Sequence, residues 1–223
     1  MIVAIDGLSG TGKSSVAERV ASELGFRCMD TGAIFRALAW KILYLKIDIG
    51  VEKAVVESCR KVQVEFKYED AGTKPQKVFC DGFDVTSAIR TSTVDDASSV
   101  ISTFPGVRAV VLECEHKIAC DGDYVVDGRD IGTVVFPDAE VKFFLTASPE
   151  EKARRRAKQN AERGIGETDL DVLVAEMSQR DQRDASRAIA PCVPADDAII
   201  VDTDGHTLEE VAEIVIAEVK RKI

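Results

Sequence analysis

Gly7, Gly12, Lys13 and Ser14 stand at the spacing G-x-x-x-x-G-K-[ST], inside the run Ile-Asp-Gly-Leu-Ser-Gly-Thr-Gly-Lys-Ser. The chemistry of that pattern is the cradling of phosphate. Gly7, Gly10 and Gly12 let the backbone curl, so that the stretch from Ser9 through Thr11 to Ser15 points N–H groups at an anion. A helix opening near Lys13 adds its positive end. Lys13 is expected to bring a mobile charge to the β and γ phosphates, and Ser14 a hydroxyl to Mg²⁺. The setting agrees: residues 2–5 are an apolar run suited to a buried strand. Residues 14–24 have helical spacing, with Val16, Ala17, Val20, Ala21 and Leu24 on one face. The bland alternative is an ordinary glycine-rich turn, but strand, loop and helix are all in place.

Three further constellations suit a polyanionic ligand. Asp30-Thr31-Gly32-Ala33-Ile34-Phe35-Arg36 follows a second expected strand, and Arg36, one helical turn beyond Gly32, can face the same cleft. A phosphate acceptor needs such a bidentate donor; the plain alternative is a solvated helix arginine. Asp127-Gly128-Arg129-Asp130-Ile131-Gly132 ends a central strand. Asp127 stands where phosphate-transferring enzymes of this loop class keep a carboxylate near Mg²⁺, an indirect metal role. The two glycines suggest close backbone approach to a ligand, and the alternative is a structural Asp–Arg pair. The last set is Arg154, Arg155, Arg156 and Arg163, then Arg180, Arg183 and Arg187, the latter three on one helix face with Asp184 four residues after Arg180. Arginines on a helix pair after the fourth strand suit a lid that closes over phosphates, although a charge run is also the mark of a solvated face.

The 223 residues, 45% of them hydrophobic, allow one domain with insertions, or one domain and a small satellite. A net charge of −10 argues against a nucleic-acid coat or a membrane-surface protein, so phosphates must be met by local clusters. No apolar run has the length of a membrane span, and a core strand at the very start leaves no room for a signal peptide. The expected setting is cytoplasmic. Cys28, Cys59, Cys80, Cys114, Cys120 and Cys192 show no C-x-x-C pair and are expected as reduced thiols. His116 and His206 have no partner pattern and are expected at the surface.

Strand and helix signals alternate, as in a parallel sheet. Strands are expected at 26–30, 124–127, 141–145 and 198–201, with helices at 31–45, 48–59, 92–102, 107–120, 168–188 and 207–220. Residues 60–90 differ. Val62, Val64, Phe66 and Tyr68 alternate with polar residues, 71–75 is a turn and 77–80 a returning strand, giving an antiparallel hairpin in a small satellite lobe. Ser148, Pro149 and Glu151 predict a capping box that opens a helix ending near Gly164. Five parallel strands flanked by helices would place ligands at their carboxyl ends.

Together these segments resemble the bacterial-type cytidylate kinases, nucleoside monophosphate kinases of the P-loop class. The resemblance covers almost the whole chain. It rests on the loop, on Asp-Thr-Gly-Ala-Ile-Phe-Arg at 30–36, Asp-Val-Thr-Ser-Ala-Ile-Arg-Thr at 84–91 and Phe-Pro-Gly-Val-Arg at 104–108. Two longer runs are specific to this family: Asp-Gly-Arg-Asp-Ile-Gly-Thr-Val-Val-Phe-Pro-Asp-Ala at 127–139 and Arg-Asp-Gln-Arg-Asp-Ala-Ser-Arg-Ala-Ile-Ala-Pro at 180–191. It implies an α/β P-loop core (1–30, 105–150 and 191–223), an NMP-binding region (31–104) with an inserted lobe at about 60–90, and a helical lid (151–190). It implies phosphorylation of CMP and dCMP by ATP with Mg²⁺. Arg36, Arg129 and Arg187 would hold the CMP phosphate, Asp184 the ribose hydroxyls, and Arg180 would sit near the transferred group. Ser99, Arg108 and Asp130 would meet cytosine, and Thr31 would line the same site. A carboxylate accepts from the cytosine amino group and an arginine fills N3 and O2, whereas uracil sets an acceptor against that carboxylate. The loop departs from many relatives at Leu8, Thr11 and Ser14, without loss of an N–H donor or of Lys13. Phe35 stands where others carry Tyr, which implies modestly weaker CMP affinity.

The rivals are a P-loop kinase for another small acceptor, of dephospho-coenzyme A, shikimate or gluconate type; a GTPase switch, for which the guanine-reading N-K-x-D is missing; and a non-catalytic adapter. The expected chemistry is direct in-line transfer by a monomer, with Lys13, Arg36, Arg129, Arg180 and Arg187 as the catalytic charges and no general base.

Overall fold

The computed structural model describes residues 1–68, 75–162, 164 and 169–223. Residues 71–74 of the expected hairpin turn, and Arg163, lie outside them. Five parallel strands form the central sheet: β1 (Ile2–Gly7), β2 (Arg27–Asp30), β6 (Tyr124–Asp127), β7 (Val141–Thr146) and β8 (Ile199–Asp202), in the spatial order β2-β6-β1-β7-β8. Both faces of the inner strands are covered, so they read as continuous apolar runs. Side chains still alternate. Val3, Ile5 and Val125 enter a core with α1 (Lys13–Leu24) and α8 (Leu208–Lys220). Ala4, Tyr124 and Val126 enter a second core with α2 (Thr31–Tyr44), α4 (Ser92–Ile101) and α5 (Pro105–Ile118).

The helix starts follow local chemistry. Asp30 caps α2 by accepting from Ala33 N, and Thr91 caps α4 through Val94 N. Thr207 and Glu210 form a full capping box on α8. At α6 (Pro149–Glu162) only half of the expected box forms. Ser148 Oγ accepts from Glu151 N, but the Ser148 N–H goes to Asp204, and the Glu151 carboxylate is held by Arg154 and Arg155. Helix α3 (Glu52–Cys59) begins later than the expected 48, because Asp48 Oδ1 accepts from Gly50 N and closes a turn there.

The satellite sheet has three antiparallel strands: β3 (Val64–Tyr68), β4 (Pro75–Cys80) and β5 (Phe83–Asp84). The third strand returns through Asp81 and Gly82, both at positive φ (50° and 79°), the backbone that a two-residue hairpin turn requires. Helix α7 (Leu170–Ala185) packs on α6, and the pair stands over the carboxyl edge of the central sheet. Among the described residues no helix is long and apolar enough to cross a membrane.

Candidate active site

Strand register brings the site together. Asp30 at the end of β2 is level with Asp127 at the end of β6, and Asp127 is level with Ile5 on β1, two residues before Gly7. A cleft of about 580 Å³ opens at this edge. Its floor is the loop of residues 9–15, and Thr31, Arg36, Ser99, Arg108, Asp127, Arg129, Asp130, Arg180, Asp184 and Arg187 line its walls. Of the described residues singled out above for phosphate, metal or base contact, Gly7, Arg154 and Arg183 lie outside the lining.

Gly7 has φ 146°, and a Cβ there would come within 2.3 Å of the Leu145 carbonyl oxygen, so β1 and β7 meet here through bare backbone. Gly10 and Gly12 are also at positive φ, and a Cβ at Gly10 would meet the Met177 methyl at 2.7 Å. Lys13 is buried. Its ammonium donates to Leu8 O at 2.6 Å, which clasps the loop around its own lysine. Burial, then Arg129, press its pKa far below the ordinary lysine range, against Asp127, Cys192 and Asp6.

Ser14 Oγ donates to Asp127 Oδ2 at 2.7 Å, while Asp127 Oδ1 is buried and has no partner among the described residues. Burial, then the neighbouring Asp30, raise the Asp127 pKa, opposed by Ser14, Lys13 and Arg36. A hydroxyl beside a carboxylate with an unused oxygen is a hard-oxygen donor set that fits Mg²⁺. Thr31 Oγ1 ties α2 to the same strand by donating to Asp127 O at 2.9 Å.

Arg36, Arg129 and Arg180 are each braced by a carboxylate. Asp30 Oδ2 holds Arg36 at 2.6 Å and Arg90 at 3.2 Å. Asp184 Oδ2 holds Arg129 Nε at 3.0 Å, and Arg129 also donates to Gly7 O. Asp95 Oδ2 holds Arg180 at 2.6 Å. The spacing had set Asp184 opposite Arg180 on one helix; instead each finds a partner from elsewhere in the fold. Arg187 lies beyond the end of α7 and donates to Asp184 O. Once braced, Arg36 Nε, Arg180 Nε and Arg187 Nη2 are buried and have no partner among the described residues. Unmatched buried donors are costly, and these three belong to guanidinium groups that line one cleft.

Farther along the wall, Arg108 pairs with the buried Asp130, donates to Ser102 O and lies over the Phe35 ring at 5.6 Å. Arg183 donates to Ser99 Oγ at 2.9 Å. Gly128 lines the cleft, and both glycines of this turn lie close to protein: a Cβ would strike Ile131 and Thr31 at Gly128, and crowd Lys142 at Gly132. Of the remaining arginines, Arg154 is exposed and pairs with Glu151, Arg155 binds Thr203, and Arg156 lies near Asp95 and Ser9.

Several site residues escaped the spacing argument. Asp6 accepts from Ile131 N and Gly132 N, which fixes the turn that carries Arg129 and Asp130. Its pKa is raised to about 6, burial outweighing those bonds. Its signal was present in sequence, a carboxylate inside an apolar strand. Asp181 accepts from Ser9 N and pairs with Lys152. Asp95 carried no local signal, while Arg90 stands in the run at 84–91 without having been given a role.

Residues 3–221 match the family model described as Cytidylate kinase. The chain is 42% identical over 221 residues to a cytidylate kinase of Desulfitobacterium hafniense, covering 99% of this chain and 93% of that protein. It is 44% identical over 220 residues to one of Enterococcus faecalis, covering 99% and 96%. Among solved structures, an uncharacterized protein from Eubacterium ventriosum superposes with a TM-score of 0.52 at 12% identity, covering 99% of this chain and 98% of that one, a likeness of fold alone.

Proposed function

The chain belongs to the cytidylate kinase family, and we propose that it transfers the γ-phosphoryl group of ATP to the phosphate of CMP or dCMP, in line and without a phosphoenzyme. One observation carries the chemistry: three guanidinium groups, those of Arg36 and Arg180 braced by carboxylates and that of Arg187 held by the Asp184 carbonyl, keep a buried N–H without a partner among the described residues on the cleft that the phosphate loop floors. Other small acceptors, of dephospho-coenzyme A, shikimate or gluconate type, are not favoured by relatives of this identity and coverage.

In this reading the loop amides, Lys13 and Ser15 hold the donor phosphates. Arg36, Arg129 and Arg187 hold the acceptor phosphate, and Asp184 the ribose. Arg180 faces the transferred group, where charge spreads over three oxygens in a loose transition state. Ser14 and Asp127 would hold Mg²⁺, which when bound offsets charge between the donor phosphates. Arg108 and Asp130 present donors and an acceptor to cytosine, with Ser99 beside them. Residues 31–104 serve as the acceptor region, 151–190 as the lid and the remainder as core. A cytoplasmic setting and a monomeric enzyme belong to the same reading.

Lys13→Ala and Arg187→Ala test it. Each should lose about 1,000-fold in turnover while the thermal midpoint moves by only a few degrees. Turnover near that of the unmodified protein in either variant contradicts the assignment.

A further inference from the structure

Among the described residues, Asp95 is the one carboxylate on the cleft wall that reaches the lid from the acceptor side. It sits in the first turn of α4, mostly buried, and its Oδ2 receives Arg180 Nη1 of α7 at 2.6 Å. Arg156 of α6 lies 3.9 Å from the same oxygen. Burial works to protonate Asp95, but Arg180, by charge and hydrogen bond, and then Arg36 and Arg156 hold it ionised below the usual carboxylate range. One turn along α4, Ser99 Oγ accepts from Arg183, one turn along α7. Asp95 and Ser99 are four residues apart on one helix, and Arg180 and Arg183 three apart on the other, so two rungs join the helices face to face.

A guanidinium is planar, and a carboxylate on one edge fixes the direction of every remaining N–H. With Nη1 of Arg180 spent on Asp95, its Nε is left buried and without a partner among the described residues, and the residue lines the cleft. An arginine on a long stem loses side-chain entropy when it is ordered; Asp95 meets that cost before the nucleotides arrive.

We propose that Asp95 is a positioning residue for the transfer step: it orients Arg180 from the acceptor-binding side, so that the arginine reaches the transferred phosphoryl group in one geometry. The inference rests on the reading of Arg180 given under the proposed function. It adds that a carboxylate on α4, not on the lid itself, sets the geometry of the lid charge.

The test is a double-mutant cycle on the full chain, with ATP and CMP as substrates. Asp95→Asn keeps the size and an acceptor oxygen but removes the charge. It should lower kcat by about 10- to 100-fold, with KM for CMP and for ATP each changed less than about 3-fold. Asp95→Glu should restore part of kcat. In an Arg180→Met background, followed at higher enzyme concentration, Asp95→Asn should cost nothing more. If Asp95→Asn fails to fold, Asp95→Glu carries the same cycle, its smaller loss vanishing when Arg180 is Met. An equal loss in both backgrounds overturns the inference, as does a kcat that is unchanged or raised by Asp95→Asn. Failure of the parent reading looks different: the unmodified protein would then not phosphorylate CMP, or Arg180→Met alone would leave kcat intact.

Discussion

Glu115 on α5 is 3% exposed, and burial, then Asp130, raise its pKa well above the usual range, against the pull of Arg108. The folded state therefore binds this proton more tightly than the unfolded chain. Below about pH 4.5 both states are protonated and the group is neutral to stability; above it, stability falls with rising pH. Glu115→Gln should raise the unfolding free energy at pH 8 by about 1–2 kcal/mol, and the gain should vanish near pH 4.5. Chemical denaturation at the two pH values measures this, and a gain independent of pH contradicts it. At the same scale, Asp130→Ala should reduce the preference for CMP over UMP in kcat/KM by about 10-fold or more; an unchanged ratio moves base reading elsewhere. Single residues were unevenly legible. The loop, Arg36, Arg129 and Arg187 declared themselves through spacing and resemblance. The pairings of Arg180 and Arg129 with their carboxylates did not, since Asp95 is 85 residues from Arg180 and Asp184 is 55 from Arg129. Only the fold makes those pairs.

At the scale of elements, α6 and α7 are joined by Lys152 and Asp181, both under 10% exposed, and the second oxygen of Asp181 accepts the Ser9 N–H of the phosphate loop. Removing one partner strands a buried charge. Lys152→Met should cost about 3–5 kcal/mol, read from denaturant unfolding. Lys152→Met with Asp181→Leu should recover much of that loss, yet raise KM for ATP because the Ser9 amide loses its acceptor. A double variant as unstable as the single one contradicts this. The elements themselves were largely written in local pattern: the parallel strands, the helix starts at Thr31 and Ser92, and the closing helix over 207–220. The third strand of the satellite sheet was missed although Asp81-Gly82 is a hairpin dipeptide, because its strand is only two residues long. Half of the Ser148 box was misread because Asp204, distant in sequence, competes for the Ser148 N–H.

At the scale of the molecule, a chain of net charge −10 gathers arginines at one edge of its sheet and braces Arg36, Arg129 and Arg180 there with acids, the local means proposed for meeting polyanions. Attraction of that local kind is partly screened, so KM for CMP should rise several-fold between about 0.05 M and 0.3 M KCl while the fold persists; steady-state kinetics across that range checks it. The fold class was legible because strand and helix signals alternate and the loop fixes where the sheet begins. The measurement that bears most directly on the whole is ATP-dependent ADP release with CMP, dCMP, UMP, AMP, GMP, shikimate and gluconate as acceptors. Turnover is expected with CMP and dCMP and at most weakly with the others. UMP turned over as well as CMP would remove the role given to Arg108 and Asp130, and silence with every nucleotide would contradict the kinase itself.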